Sequence, residues 1–206
     1  SVSDPIYPVW GSNISLSVKA TPPYSVFRPD GTFYGGMSDQ DRFRWVEYHK
    51  WKVKAEWYTP LTQSAGENPR TLVLRTHAGV GLIGQYDRAV GLSPFERFYL
   101  GGVFLSGFVL DGREIINLRG FDDLSLTMPN QNTGAPVIAK YGAELRYPLS
   151  TNPSATIYTL AFIDAGKTWA DAREFNPFEV YRSAGVGMRI FLPMFGLLGL
   201  DYGWRL

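Results

Sequence analysis

"VIAKYGAELRY", residues 137–147, alternates between two kinds of residue. Val137, Ala139, Tyr141, Ala143, Leu145 and Tyr147 fall on one side, and Lys140, Gly142, Glu144 and Arg146 on the other. Successive side chains of an extended chain point to opposite faces, so a period of two predicts a strand with one apolar and one polar face. Five more segments share this form. Ile14, Leu16, Val18 and Ala20 oppose Ser15, Ser17 and Lys19. Trp51, Val53, Ala55 and Trp57 oppose Lys50, Lys52, Lys54 and Glu56. Leu72, Leu74, Ala78, Val80 and Leu82 oppose Arg75, His77, Gly79 and Gly81. Ala184, Val186, Met188, Ile190 and Leu192 oppose Ser183, Gly185, Gly187 and Arg189. Leu198, Leu200, Tyr202, Trp204 and Leu206 oppose Gly199, Asp201, Gly203 and Arg205. A seventh segment, "ATIYTLAFIDAG" (155–166), is apolar on both faces until Asp164, as a strand covered on its inner side would be. No segment carries a helical period, so the fold class is all-β.

The pattern alone leaves open which face is the core. A soluble sandwich turns its apolar face inward, and a transmembrane barrel turns it to lipid. Two details favour the barrel. Trp51, Trp57, Tyr147, Tyr202 and Trp204 lie near segment ends on the apolar face, like an interfacial girdle. The polar face mixes charge with glycine at Gly79, Gly81, Gly142, Gly187 and Gly199, and glycine on a lumen wall makes room for something inserted there. The segments run about ten residues, enough to cross a membrane when tilted. The tight turns "STNPS" and "PMFG" contrast with long connections, the habit of an outer-membrane barrel.

Composition agrees. The 206 residues include 13 Phe, 12 Tyr, 6 Trp and 22 Gly but no Cys, which excludes disulfides and thiolate metal sites. A net charge of +1 with no Lys/Arg block argues against nucleic acid as a partner. "SVSDPIYPVW" at the start lacks the regions of a signal peptide. "GVGLIG" (79–84) matches a dinucleotide-binding string, but it sits inside a strand pattern and no helix follows. His49 and His77 have no partner at ligand spacing, so neither a metal nor a cofactor is expected. No nucleophile or zinc motif occurs, which makes an enzyme an unsuitable reading, with no catalytic residue to name.

The longest connection covers about residues 86–136. It holds "REIINLRGFDD" (113–123), too apolar for a solvated loop and carrying a lone Arg119. Here four motifs occur in order. "FERFYLGG" (95–102), "LRGF" (118–121), "AELRYPL" (143–149) and "FIDAGKTW" (162–169), followed by "SAGVGMRIFLPMFGLLGLDYG", resemble the BamA family of outer-membrane assembly factors. Phe98, Tyr99, Gly101 and Gly102 match the approach to the family's sixth extracellular loop. Leu118, Arg119, Gly120 and Phe121 match its V-R-G-F/Y signature, with Leu in place of Val.

The resemblance implies a transmembrane antiparallel β-barrel of 16 strands, of which the chain supplies about seven, the ninth to fifteenth, with a long loop inserted in the lumen. Residues 1–206 then form the C-terminal part of one barrel domain, without the periplasmic repeat domains. The loop Arg119 is expected to meet the inner-wall acids Glu144 and Asp164. By parity Glu144 lies on the polar face, whereas Asp164 shares a face with Leu160 and Phe162, so either the wall is apolar there or a bulge shifts the register. Seven strands do not close a barrel, and open edges do not survive in lipid, so the chain reads as part of a longer protein. The implied function is folding and insertion of β-barrel proteins into the bacterial outer membrane, with lipid, unfolded barrel clients and accessory assembly lipoproteins as partners. A two-partner-secretion transporter pore of the same superfamily is the alternative, and a passive porin or a soluble β-sandwich binding module fit less well.

Overall fold

The computed structural model describes residues 2–28, 34–62, 70–102, 113–129, 132–152 and 154–206. Seven strands form one antiparallel sheet: β1 (Gly11–Ala20), β2 (His49–Pro60), β3 (Val73–Gly84), β6 (Val137–Asn152), β7 (Ala155–Trp169), β8 (Tyr181–Leu192) and β9 (Gly196–Arg205). They lie in chain order, each beside its predecessor, with β1 and β9 as unjoined edges. Two short strands in the long connection, β4 (Phe98–Leu100) and β5 (Glu114–Ile116), pair in parallel apart from this sheet. The seven predicted segments are the seven strands of the sheet.

Two details depart from the reading above. β6 and β7 are 16 and 15 residues long, well beyond ten. The β2–β3 connection, residues 61–72, is long although it lies on the side of the tight turns, so the contrast between the two ends is incomplete. Within the long connection, residues 103–112 fall outside the described residues, and Glu114–Ile116 of "REIINLRGFDD" form β5.

Parity assigns the two faces. Trp51, Val53, Trp57, Val80, Leu145, Ile163, Val186 and Leu200 on the outer face are all 40% exposed or more. The aromatics Tyr147, Tyr202 and Trp204 are exposed on the same face. An apolar face of that extent needs a nonaqueous neighbour, which a bilayer supplies.

The inner face carries the packing. Phe98, Leu100, Leu118 and Leu126 of the long connection bury themselves against Ile83 and Ile138 of the wall, with Ile116 and Phe121 at the margin. A second cluster joins Tyr7, ahead of β1, to Val73, Tyr158, Leu160 and Phe162. The single Tyr7 hydroxyl proton is shared between the carbonyls of Thr71 (2.9 Å) and Arg146 (3.0 Å). β7 is apolar on both faces because its inner side packs on Tyr7 through Tyr158, Leu160 and Phe162, while its outer side, with Ile163, belongs to the exposed apolar face.

Candidate functional site: an inserted loop braced on the inner wall

The loop is held by backbone first. β4 and β5 pair, Gly102 bridges Leu118, and Phe98 bridges Ala135. Thr168 of β7 accepts from the Met128 amide (2.8 Å) and donates to the Leu126 carbonyl (2.9 Å), tying the loop to the wall. Gly101 has φ +126°, and a Cβ there would lie 2.6 Å from the Asp122 carbonyl oxygen. Its neighbour Gly102 also has positive φ and packs on Asp123, so both glycines let residues 122–125 close over β4.

This framework delivers Arg119 to the wall, where it is 8% exposed. Its Nε donates to Asp164 Oδ2 (2.7 Å) and its Nη2 to Asp164 Oδ1 (2.9 Å). Nη2 also lies 2.8 Å from Glu144 Oε1. The guanidinium carbon sits 3.6 Å from the Phe162 ring centre, a stacked cation–π contact. The two acids therefore share the arginine: Asp164 takes the two-pronged contact and Glu144 the flank. Asp164 is fully buried and Glu144 is 4% exposed, so each carboxylate needs a cation to offset its lost hydration. Burial opposes the charge on Arg119, but the hydrogen bonds and charge of Asp164, reinforced by Glu144, hold it protonated more firmly than usual.

Asp164 reaches the lumen without a bulge at its own position. Gly142 pairs Asp164, Glu144 pairs Phe162 and Arg146 pairs Leu160 without interruption, and the register shift lies farther on, between Pro148 and Ser150. The inner wall is simply apolar beside it, because Phe162 lies beneath the guanidinium. Gly142 makes the space: a Cβ there would stand 2.6 Å from Asp164 Oδ1.

Further charges extend the brace. Glu144 also accepts from Arg146 (2.6 Å) and lies 3.2 Å from Arg75, which reaches Glu56 at 2.6 Å. Asp201 of β9 lies 3.9 Å from Arg119 and is gripped by Arg189 through two contacts of 2.7 Å. Among the described residues no three metal-ligating side chains converge.

Gly120 turns the loop against the last hairpin. It has φ +84°, and a Cβ would meet Ser183 Cβ at 3.1 Å and the Trp204 amide at 3.2 Å. Gly203 opposes it across the contact. Phe121 meets Tyr181 edge-on at 6.1 Å, and the Arg205 guanidinium lies over the same ring at 5.2 Å. The wall glycines divide by role. Gly81 accepts the Phe98 ring and Gly203 the loop backbone, whereas Gly142 and Gly199 make room for wall side chains, Asp164 and Arg189. The lumen glycines thus serve the brace as well as the insert.

A second anchor escaped sequence reasoning. Lys50 of β2 has a fully buried side chain, and its side-chain partners among the described residues come from the loop. Its ammonium donates to the Glu96 carbonyl (2.7 Å) and side chain (3.0 Å), lies 2.7 Å from Glu114, and sits 4.6 Å from the Phe98 ring centre. Lys52 and Lys19 add contacts to Glu114 (2.9 Å) and Glu96 (3.2 Å). Burial works against ionisation of Glu96 and Glu114, but hydrogen bonds from Lys50 and its neighbouring lysines outweigh it and hold both carboxyls below the ordinary range. Polarity is reversed between the anchors: the loop brings the cation to Asp164 and Glu144, and the anions to Lys50. The available signal was three lysines in a row on the polar face of β2.

The sequence pattern of the Omp85 superfamily domain matches residues 27–206. The chain belongs to the Omp85 superfamily. No curated protein matches it by sequence. In fold it is similar to the crystal structure of BamA from Haemophilus ducreyi lacking POTRA domains 1–3, with a TM-score of 0.64 and 18% identity. The likeness covers 100% of this chain and 37% of that one, so the Omp85 chain spans little more than a third of the length of the chain it matches. The resemblance to BamA inferred from "FERFYLGG" and "LRGF" thus agrees with the family and the fold, and the barrel is the right choice over the sandwich.

Proposed function

We propose that this Omp85 chain is the part of a bacterial outer-membrane barrel that folds and inserts other β-barrel proteins. The supporting observation is the Arg119 brace: an "LRGF" loop carried into the lumen and fixed on Asp164 and Glu144. A passive pore gains nothing from a buried loop with two charged anchors, whereas a barrel that must deform at its edge without collapsing gains an internal strut. No bond is made or broken, so Arg119, Glu144 and Asp164 act by bracing, and the role is not enzymatic. The partners in this reading are lipid, unfolded barrel clients and the accessory lipoproteins of the assembly machinery. The test is to place the intact protein in phospholipid vesicles and follow folding of a urea-unfolded outer-membrane barrel by its altered migration on unheated gels. Faster folding than in empty vesicles, lost with Arg119→Ala, supports the reading. Equal rates with and without the protein overturn it, and export of an unfolded soluble passenger instead would indicate a secretion pore.

A further inference from the structure

The β7–β8 connection, residues 170–180, does not stand free above the sheet. Register sets Leu82, Val137 and Trp169 in one row across β3, β6 and β7, and Ala78, Tyr141 and Ala165 in another, all on the outer face. Yet Val137, Ala139 and Trp169 are buried, with Val180 packed on them. Trp169 meets Phe175 edge-on at 4.9 Å, the Tyr141 hydroxyl donates to the Pro177 carbonyl, and Lys167 reaches Glu179 at 2.5 Å. The connection therefore folds back over the outer face. Two of its aromatic side chains are left uncovered among exposed charged residues: Phe178 is 83% exposed and Phe175 39%.

Strand length sets the level of this cover. From Tyr141 to Asn152 are eleven steps of about 3.3 Å, which at a tilt of about 40° rise about 28 Å along the membrane normal, close to the ~25 Å apolar band of such barrels. Asn152 closes a tight turn at one boundary, so Tyr141 stands at the other, and Val137–Lys140 project beyond it. The cover clads this projection, directly above exposed Ile163 and Leu145 of the lipid-facing belt. Exposed Arg173 and Glu174 beside the two phenylalanines suit a headgroup layer.

We propose that residues 170–180 form a lipid-contacting plate at the membrane boundary, with Phe178 and Phe175 seated where headgroups meet acyl chains. The plate would shield the overlong ends of β6 and β7 and fix the barrel's height in the bilayer. The inference rests on the membrane-barrel fold.

The 206 residues contain no cysteine, so single Phe178→Cys, Leu200→Cys and Glu174→Cys variants of the intact protein can each carry one nitroxide label. In vesicles of phosphatidylcholine and phosphatidylglycerol, collision with oxygen reports lipid and collision with a water-soluble nickel chelate reports water. The label at 178 is expected to favour oxygen several-fold more than the label at 174, approaching the label at 200. Equal nickel exposure at 178 and 174, with 200 still in lipid, overturns the plate alone. Shielding at 178 that appears only after other outer-membrane proteins are added also overturns it and assigns the surface to a protein. A water-exposed label at 200 would overturn the membrane fold and the plate together.

Discussion

Arg119 and Asp164 meet through two hydrogen bonds of 2.7 and 2.9 Å, one residue from the inserted loop and one from β7, with Asp164 wholly buried. Removing the arginine leaves an uncompensated buried carboxylate, which costs about 3–5 kcal/mol. Arg119→Ala is therefore expected to lower the heat stability of the barrel, read as its unfolding midpoint on gels, and Arg119→Glu to lower it more. Arg119→Lys should fall between the parent and Arg119→Ala, because an ammonium keeps the charge but cannot reproduce the planar fork. Unchanged midpoints in all three variants would contradict the brace.

Lys50 holds the other end of the loop independently. Lys50→Met removes the cation shared by Glu96 and Glu114 and is expected to destabilise by about 2–4 kcal/mol. Its partners do not overlap those of Arg119, so the losses from Lys50→Met and Arg119→Ala should add to within about 0.5 kcal/mol. Strong non-additivity, measured by unfolding midpoints, would show that the two anchors act as one.

Acid should loosen this second anchor. Glu96 and Glu114 have folded-state pKa values below ordinary, so their contribution is fully present above the unfolded glutamate value of about 4.3 and is lost as pH falls through the lower folded values. Protease cleavage of the loop should therefore rise as pH drops below about 4. The double variant Glu96→Gln/Glu114→Gln should already be sensitive at neutral pH and show a flatter dependence. A parent and variant with the same pH profile would contradict it.

Gly120 is expected to resist replacement. At φ +84° with a would-be Cβ 3.1 Å from Ser183, Gly120→Ala combines backbone strain with a close contact, together about 1–3 kcal/mol. The measurement is again the unfolding midpoint, and an unchanged value would mean that the loop shifts away from β8 and β9 at no cost.

Much of this architecture can be read from alternation. Seven period-two segments become seven neighbouring strands, because a half-buried strand writes its two faces directly into residue parity. Asp164 was harder: its parity partners Leu160 and Phe162 are apolar, and only packing shows that apolar residues line this wall under a stacked guanidinium. Lys50 was invisible as an anchor because Glu96 and Glu114 lie in irregular chain, where no period ties them to a partner. The fold-back of residues 170–180 was equally hidden. It depends on Tyr141 meeting a backbone carbonyl far along the chain, and on strands longer than the membrane requires.

The central claim is that Arg119 and Asp164 act as one unit, and a double-mutant cycle tests it most directly. Unfolding midpoints of the intact protein in lipid vesicles would be compared for the parent, Arg119→Met, Asp164→Asn and the double variant. The account predicts that the double variant is scarcely less stable than the worse single one, with a coupling of about 1–3 kcal/mol. Two losses that simply add would contradict it.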